Sequence, residues 1–284
     1  MGSSLTEPLQ HGSIAISVGA DPASTTEWLL SNVQVTSGVR RLRIPNRIDT
    51  LYDNGIFIPI EDWRALTEEE ARGCAVAWPD SSHNWLLVLR ARTMLSELLA
   101  GLGLHHILEP TSWNGVASSS ELDVLQAEVS KHLKSWGFHA NEFVLQVRRG
   151  GLPSTTYDDS AKTLIGLHVD NQGHHAIPER GRARPRLLLN IGREPRSFVC
   201  LPKTLTRLMQ ELQIPQTEQG VERYLYTYRL VHDYLERFPK AQIWRLRMEP
   251  GVGLIAPVQN MMHDGYTVGI RSMDIVLTTL LDPA

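Results

Sequence analysis

The chain has 284 residues, of which 42% are hydrophobic and 21% charged, with a formal net charge of −3. This mildly acidic balance gives no electrostatic reason to expect nucleic acid or an anionic membrane as a partner. No apolar run approaches the roughly 20 residues that cross a bilayer, and residues 1–13 lack the layout of a secretory signal. Cys74 and Cys200 form no CxxC pair, so we expect free thiols in a cytoplasmic protein rather than a disulfide or a thiolate zinc site.

The N-terminal half carries mainly helical signals. Residues 1–25 are rich in Ser, Gly, Thr and Pro and are expected to form a loose lead-in. A helix is predicted over residues 84–100, and the only extended piece expected here is residues 55–59. Helix starts with capping-box spacing occur at Thr67/Glu70 and Ser118/Glu121. The second start is followed by an apolar stripe at helical intervals: Leu122, Leu125, Val129, Leu133 and Trp136.

The C-terminal half is predicted to be mostly strands. Short apolar runs alternate with Gly and Pro turns at residues 143–148, 164–170, 186–191, 197–201, 242–248, 253–257 and 270–281. Helices between consecutive strands are mostly absent, which favours a sandwich or jelly roll over a parallel sheet. Two helices, at 205–213 and 221–238, interrupt the strands.

These elements predict an α+β protein with a mainly β core. We expect a single domain over residues 26–284, in which a helical support (26–140) buttresses a jelly-roll core (141–284). The core carries a helical insert at about 203–240.

The central motif of the C-terminal half is Gly166-Leu-His168-Val-Asp170. Residues two apart on a strand point to the same side, so His168 and Asp170 can hold one ion. One imidazole and one carboxylate are two members of the facial triad that leaves positions on iron(II) open. The third ligand has to come from a downstream histidine: His174, His175, His232 or His263.

The last of these histidines is the best candidate. The first two lie in the polar loop directly after the motif, and the third falls in a predicted helix. His263 follows a predicted strand and precedes Arg271 by 271 − 263 = 8 residues. An arginine that opens an apolar strand needs an anionic partner, because a buried charge is costly unless it is paired. A dicarboxylate co-substrate is one such partner, and a structural carboxylate such as Asp274 is another.

This constellation resembles the Fe(II)/2-oxoglutarate-dependent oxygenases, nearest to their small-molecule and prolyl-hydroxylase-like branches. It is carried by His168-Val-Asp170, His263-Asp-Gly265 and Gly269-Ile-Arg271. Weaker likeness at residues 52–59, 145–150 and 186–192 extends it to roughly residues 45–281. The resemblance implies a double-stranded β-helix, a jelly roll of eight core strands in two facing sheets.

The resemblance also implies the roles of individual residues. Iron(II) would be held by His168, Asp170 and His263, and chelated by 2-oxoglutarate with O2 as the second co-substrate. The far carboxylate of 2-oxoglutarate would pair with Arg271, and Asn190 would share that contact. The substrate would be a small molecule, an amino acid or specialised metabolite, oxidised by C–H abstraction. Hydroxylation, cyclisation and desaturation use the same ligands, whereas a carboxylate ligand argues against halogenation.

Several alternatives remain open at this stage. The insert at 203–240 is expected to be a lid, or else a structural or dimerising hairpin, and the oligomeric state is undetermined. The alternating arginines Arg180, Arg182, Arg184 and Arg186 form either a solvated loop or a site for a carboxylated substrate. Rival functions are a cupin-like metalloenzyme that uses no 2-oxoglutarate, a non-catalytic binding protein of the same fold, and a zinc hydrolase.

Overall fold

The computed structural model describes residues 14–18, 22–42, 56–76, 85–89, 120–158, 163–172, 175–215 and 227–283. In these residues the protein is a mixed α+β structure made mostly of sheet, which confirms the predicted class. None of the helices within these ranges is both long and apolar enough to cross a membrane. Residues 1–13 and 19–21 of the predicted lead-in, residues 84 and 90–100 of the predicted helix 84–100, the predicted cap Ser118 and residues 216–226 of the insert lie outside them. The described part of the lead-in is not loose, because Ala15–Ser17 form a strand and Pro22 begins a helix, so the prediction is wrong there.

The larger sheet joins strands from both halves of the chain. Elements are numbered in chain order, and the spatial order is β1 (Ala15–Ser17), β6 (Trp85–Leu89), β14 (Gly253–Ala256), β11 (Arg186–Asn190), β16 (Asp274–Pro283) and β7 (Phe138–Ala140), with β8 (Val144–Arg148) also paired to β16. The β1–β6 pair is parallel and the other pairs are antiparallel.

The smaller sheet has the order β15 (Met261–Tyr266), β12 (Arg196–Thr204), β13 (Trp244–Met248), β2 (Val33–Val35) and β5 (Arg64–Ala65). In this sheet Cys200 lies opposite His263, and Phe198 lies opposite Gly265. Two short ladders flank the sheets: β3 (Val39–Leu42) with β4 (Ile56–Pro59), and β9 (Tyr157–Asp158) with β10 (Thr163–Leu164).

Apolar residues of the two sheets meet in a common core. Leu254 and Ala256 of the larger sheet share one buried cluster with Phe198 and Cys200 of the smaller sheet. This cluster also receives helix α1 (Pro22–Asn32) and helix α2 (Glu68–Cys74). Helix α2 begins at the predicted capping box of Thr67 and Glu70, which is confirmed.

Helix α3 (Ser120–Lys134) covers the other face of the larger sheet. Its predicted apolar stripe is buried against Leu187 and Leu189 of β11, whereas Leu188 packs on the opposite side, against the core between the sheets. This alternation, the normal consequence of the strand pleat, fixes which β11 side chains point inward.

The insert lies on the outer face of the smaller sheet. Its helices α4 (Leu205–Glu211) and α5 (Thr227–Arg237) form one buried cluster with Val199 and Leu201 of β12. Cys200 lies between these two residues and points the other way, toward the core. The described part of the insert therefore packs its apolar residues against the outside of the sheet. Residues 216–226 lie outside the described residues, so the choice between a lid and a structural or dimerising hairpin stays a prediction.

The structure differs from the predicted elements in several places. The N-terminal half, expected to contain one extended piece at residues 55–59, also contributes β1, β2, β3, β5 and β6. Residues 164–170, predicted as a strand, form only the end of β10 and the isolated bridge at His168. Residues 85–89 of the predicted helix 84–100 form β6, because pairing with β1 and β14 buries this apolar run on both faces. The last strand begins at Asp274 rather than residue 270, which leaves Arg271 in the preceding loop. The histidine at 263 lies inside a strand, β15, that its mixed sequence did not indicate.

Candidate metal centre

Backbone pairing brings two distant segments together at one point. His168 and His263 form an isolated antiparallel bridge, in which each backbone N–H donates to the carbonyl of the other at 3.0 and 2.8 Å. Leu167 and Val169 pack into the cluster beneath the insert, so the side chains of His168 and Asp170 face the opposite side.

Gly166 makes the approach to this bridge sterically possible. It has a φ of +68°, and a Cβ atom there would lie 2.6 Å from the carbonyl oxygen of Phe57. Glycine adopts this left-handed conformation without a steric penalty. The glycine two residues before His168 is therefore required by the local backbone path.

Three potential ligand atoms converge beside the bridge. One atom from each of His168, Asp170 and His263 lies within 4.8 Å of the others. Asp170 Oδ1 is 3.5 Å from His168 Nε2 and 4.0 Å from His263 Nε2. A transition-metal ion with bonds of about 2.1 Å to nitrogen and oxygen spans such separations. The structure thus brings together the three residues that the sequence suggested as ligands.

The outer nitrogens of both imidazoles are already engaged. His168 Nδ1 lies 2.8 Å from the Gly166 carbonyl, and His263 Nδ1 lies 3.3 Å from the Met261 carbonyl. A carbonyl oxygen can only accept, so both Nδ1 atoms carry the hydrogen and both Nε2 atoms are left as ligands. Metal-bound histidines use their second nitrogen in this way.

The pKa values of the three ionisable side chains are shifted in different directions. Burial opposes protonation of His168, but the hydrogen bond to Asp170 and the charges of Asp264 and Asp170 outweigh it and raise the pKa of His168. Burial and the neighbouring His168 lower the pKa of His263 to about 3. Burial tends to raise the pKa of Asp170, but His168, His263 and Arg186 hold it well below its usual range. Without a metal, and at a pH below the raised pKa of His168, the centre therefore contains an ionised Asp170, a neutral His263 and a protonated His168.

Metal binding should consequently displace one proton. A metal ion requires the neutral imidazole of His168, so its affinity should rise with pH by about tenfold per unit, from roughly pH 6 up to the raised pKa of His168. Calorimetric titration with cobalt(II), in buffers of different ionisation enthalpy, measures the proton released. Affinity that does not change with pH across this window would contradict the protonation pattern.

The donor set fits a resident divalent metal. Two neutral imidazoles and a carboxylate leave coordination positions open, the arrangement typical of non-haem iron(II) oxygenases. The surroundings of the second oxygen, Asp170 Oδ2, favour a carboxylate that binds a metal through Oδ1 alone. Oδ2 lies 3.2 Å from Arg186 in an ion pair, and within the described ranges no group makes a well-aligned hydrogen bond to it. The residues present are therefore compatible with a metal held by Oδ1 and two Nε2 atoms.

The two other candidate histidines that the structure describes lie away from this centre. His232 is on α5, where its Nε2 is 2.7 Å from Arg41. His175 is exposed and uses its carbonyl to accept a hydrogen bond from Arg180. His174 lies outside the described residues.

The two residues suggested for the co-substrate carboxylate have other surroundings. Arg271 is exposed, and its backbone N–H donates to Glu194 Oε2 at 3.0 Å. Asn190 is buried, and its side-chain nitrogen donates to the carbonyls of Glu194 and Met248 at 3.1 and 2.8 Å. Both amide hydrogens of Asn190 are thereby used, which leaves none for a carboxylate. Asp274, the suggested structural partner of Arg271, pairs with a different arginine.

That arginine is Arg196, which faces the core from β12. It is 6% exposed, and its Nε lies 3.0 Å from Asp274 Oδ1, so the ion pair links the two sheets. The guanidinium also runs alongside Gly265, where any Cβ atom would collide with it. Gly265 is two residues from His263 on the same strand face, roughly 7 Å away. Sequence reasoning missed Arg196, although a charged residue at the start of an apolar strand was an available signal.

The chain is similar to known proteins in structure but not significantly in sequence. No known family model matches the chain, and no curated protein sequence matches it significantly. Among solved structures, it is similar to the Kdo hydroxylase KdoO, described as a non-haem Fe(II) α-ketoglutarate-dependent dioxygenase. The KdoO complex with α-ketoglutarate and Fe(III) shows 16% identity and a TM-score of 0.37, over 69% of this chain and 78% of that chain. The apo form of KdoO gives a TM-score of 0.36 over the same shares. At these TM-scores the functional assignment rests on side-chain geometry alone.

Proposed function

We propose that the protein is a mononuclear non-haem iron(II) oxygenase that uses 2-oxoglutarate and O2 to oxidise a small molecule. The observation that carries this proposal is the convergence of His168, Asp170 and His263 at one buried point. Two imidazoles and one carboxylate with open positions are the ligand set typical of this chemistry. No residue outside this set is needed to hold the iron.

We also propose that the core is a double-stranded β-helix within a single domain over residues 26–284, which is extended at its N-terminal end by α1 and by β1, the strand that pairs with β6. In support, β8, β16, β11 and β14 are neighbours in the larger sheet, and β15, β12 and β13 are neighbours in the smaller sheet. Connections between β11 and β16 therefore pass repeatedly from one sheet to the other, as in a jelly roll. The His168–His263 bridge adds the segment before β11 to the edge of the smaller sheet.

The roles of this chain's residues follow from the geometry. Backbone carbonyls fix both imidazoles with Nε2 toward the metal, and Asp170 supplies one carboxylate oxygen. The iron and 2-oxoglutarate supply the oxidation: decarboxylation to succinate and carbon dioxide accompanies reduction of O2 and oxidation of a substrate C–H bond. The buried inner faces of the two sheets exclude water from this reaction.

Arg196 is the better-placed anchor for the far carboxylate of 2-oxoglutarate. Its guanidinium is buried alongside Gly265, which lies on the strand face that carries His263 and roughly 7 Å from it along β15. Asp274 is flanked by Arg196 and by Arg148, its partner in the β8–β16 register, and burial raises the pKa of Asp274 despite both arginines. Two cations against one carboxyl group leave a positive charge for a ligand. Arg271 stays a prediction that the same experiment tests.

The central test uses anaerobic protein loaded with iron(II). We expect addition of 2-oxoglutarate to produce a visible charge-transfer band, and admission of O2 to produce succinate. Apo-protein and protein loaded with zinc are the controls and should give neither signal. Absence of the band and of succinate from the iron-loaded protein would refute the proposal.

Two arginine variants separate the candidate anchors. Arg196→Lys keeps the charge but loses the fork that binds a carboxylate at two points, so we expect it to weaken 2-oxoglutarate binding by about tenfold or more. Arg271→Gln should leave the affinity unchanged. Titration of the charge-transfer band measures both. The opposite pattern would assign the contact to Arg271.

A cupin-like metalloenzyme that does not use 2-oxoglutarate is the second candidate. The exposed position of Arg271 favours it, because such an enzyme needs no arginine there. Iron binding without any response to 2-oxoglutarate would support this alternative. For the oxygenase, a panel of amino acids and related metabolites, with product masses, distinguishes hydroxylation from desaturation or cyclisation.

A further inference from the structure

The segment 180–186, after the metal motif, contains four arginines that differ in exposure. Arg182 and Arg184 are exposed, and Arg184 makes a surface ion pair with Asp282 at 3.6 Å. Arg180 and Arg186 instead turn inward, at opposite ends of the segment. The segment is therefore not simply a solvated basic loop.

Arg186 contacts the side chain of the candidate metal ligand. As the first residue of β11, it shares the inward face of Leu188, and its Nη2 lies 3.2 Å from Asp170 Oδ2. The other oxygen, Oδ1, faces both imidazoles at 3.5 and 4.0 Å. Arg186 therefore engages the oxygen that does not face the imidazoles.

Arg180 contacts the backbone of the same residue. It is 2% exposed, and its guanidinium donates to the carbonyls of Asp170 and His175 at 3.1 and 3.0 Å, and to Asn171 Oδ1 at 2.6 Å. All three acceptors are formally neutral, so the charge is buried without a carboxylate in direct hydrogen-bond contact. A buried charge of this kind is costly, and its contacts go to the segment that carries Asp170.

We propose that Arg180 and Arg186 are positioning residues that clamp Asp170 as a one-oxygen metal ligand, an inference that rests on the proposed metal site. Arg180 fixes the main chain of Asp170, and Arg186 engages Oδ2 so that only Oδ1 reaches the metal. Asp170 then occupies one coordination position instead of two, which keeps a position open for the co-substrate or O2.

The test substitutes lysine, because lysine keeps the charge and removes only the planar fork. Arg186→Lys should raise the dissociation constant for cobalt(II) by about 10- to 100-fold, the effect typical of groups that orient metal ligands. It should also change the visible absorption spectrum of the cobalt form. Arg184→Lys, in the same segment but exposed, is the matched control and should bind cobalt as the wild type does. Thermal melting of the metal-free proteins identifies any general loss of stability.

A double-mutant cycle shows whether the effect passes through Asp170. In the Asp170→Ala background, Arg186→Lys should cause no further loss of affinity. A loss of the same size with and without Asp170 would overturn the clamp, as would wild-type affinity and spectrum in Arg186→Lys. If Arg186→Lys does not fold, Arg180→Lys tests the same clamp, with the same loss of affinity expected and wild-type binding again overturning it. A wild-type protein that binds no metal would refute the proposed function as well.

Discussion

Replacing His263 with alanine is expected to weaken iron(II) binding by more than about 100-fold, because loss of a direct ligand exceeds the effect of losing a group that merely orients one. His168 and Asp170 would remain, but they come from one short segment and leave the ion without its contact on β15. Succinate formation should be lost together with the metal. Equilibrium titration with iron(II) under anaerobic conditions measures the first effect directly.

His232→Ala is the matched control for this variant. It removes an imidazole from α5, which packs on the outer face of the smaller sheet, so iron binding should not change. The metal-free His263→Ala protein should also remain folded, since the His168–His263 bridge is made by backbone atoms. Iron affinity in His263→Ala equal to that of His232→Ala would exclude His263 as a ligand.

Replacing Asp274 with asparagine is expected to destabilise the protein by about 3–5 kcal/mol, the cost of leaving a buried charge without its partner. Arg196 would keep its proton in the core, and Arg148 would add a second cation nearby. Arg196→Met should cost less, because burial already raises the pKa of Asp274 and the carboxyl group can neutralise itself by binding a proton.

Urea unfolding across a pH series distinguishes the two variants. In Arg196→Met the folded state keeps a proton on Asp274 that the unfolded state releases. Its stability should therefore fall as pH rises from the unfolded-state pKa of about 3.9 toward the raised folded-state pKa. Asp274→Asn has no such carboxyl group and should lack this dependence. Equal losses of stability in both variants at neutral pH would contradict the idea that Asp274 can neutralise itself in the folded protein whereas Arg196 cannot.

The sequence identified the three side chains that converge at the candidate metal centre, because their signal is local or chemically unusual. His168 and Asp170 needed only the two-residue period of a strand, and His263 was the downstream histidine outside helices and polar loops. The pairing that joins His168 to His263 is not encoded by spacing, since 95 residues separate them along the chain (263 − 168). The pairing of His168 with His263 depends on the register of β15 against β12 and on the left-handed backbone conformation of Gly166.

The arginines were harder to assign from sequence. Arg271 opens what reads as an apolar strand, but the strand begins later and the side chain is exposed. Arg186 and Arg196 resemble ordinary polar strand ends in sequence, and only the opposite sheet or the neighbouring segment reveals their carboxylate partners. Sheet pairing likewise makes residues 85–89 of the predicted helix 84–100 into strand β6, because local propensity is weak against long-range strand pairing.

The reciprocal backbone hydrogen bonds between His168 and His263 have a consequence for metal exchange. They hold the two imidazole-bearing segments in register through main-chain atoms rather than through the metal, so capture of an ion should require little conformational entropy. Loading should be fast and reversible, and one divalent ion should be able to replace another without unfolding. Which metal occupies the protein would then depend on ion availability in its surroundings as much as on the selectivity of the ligands.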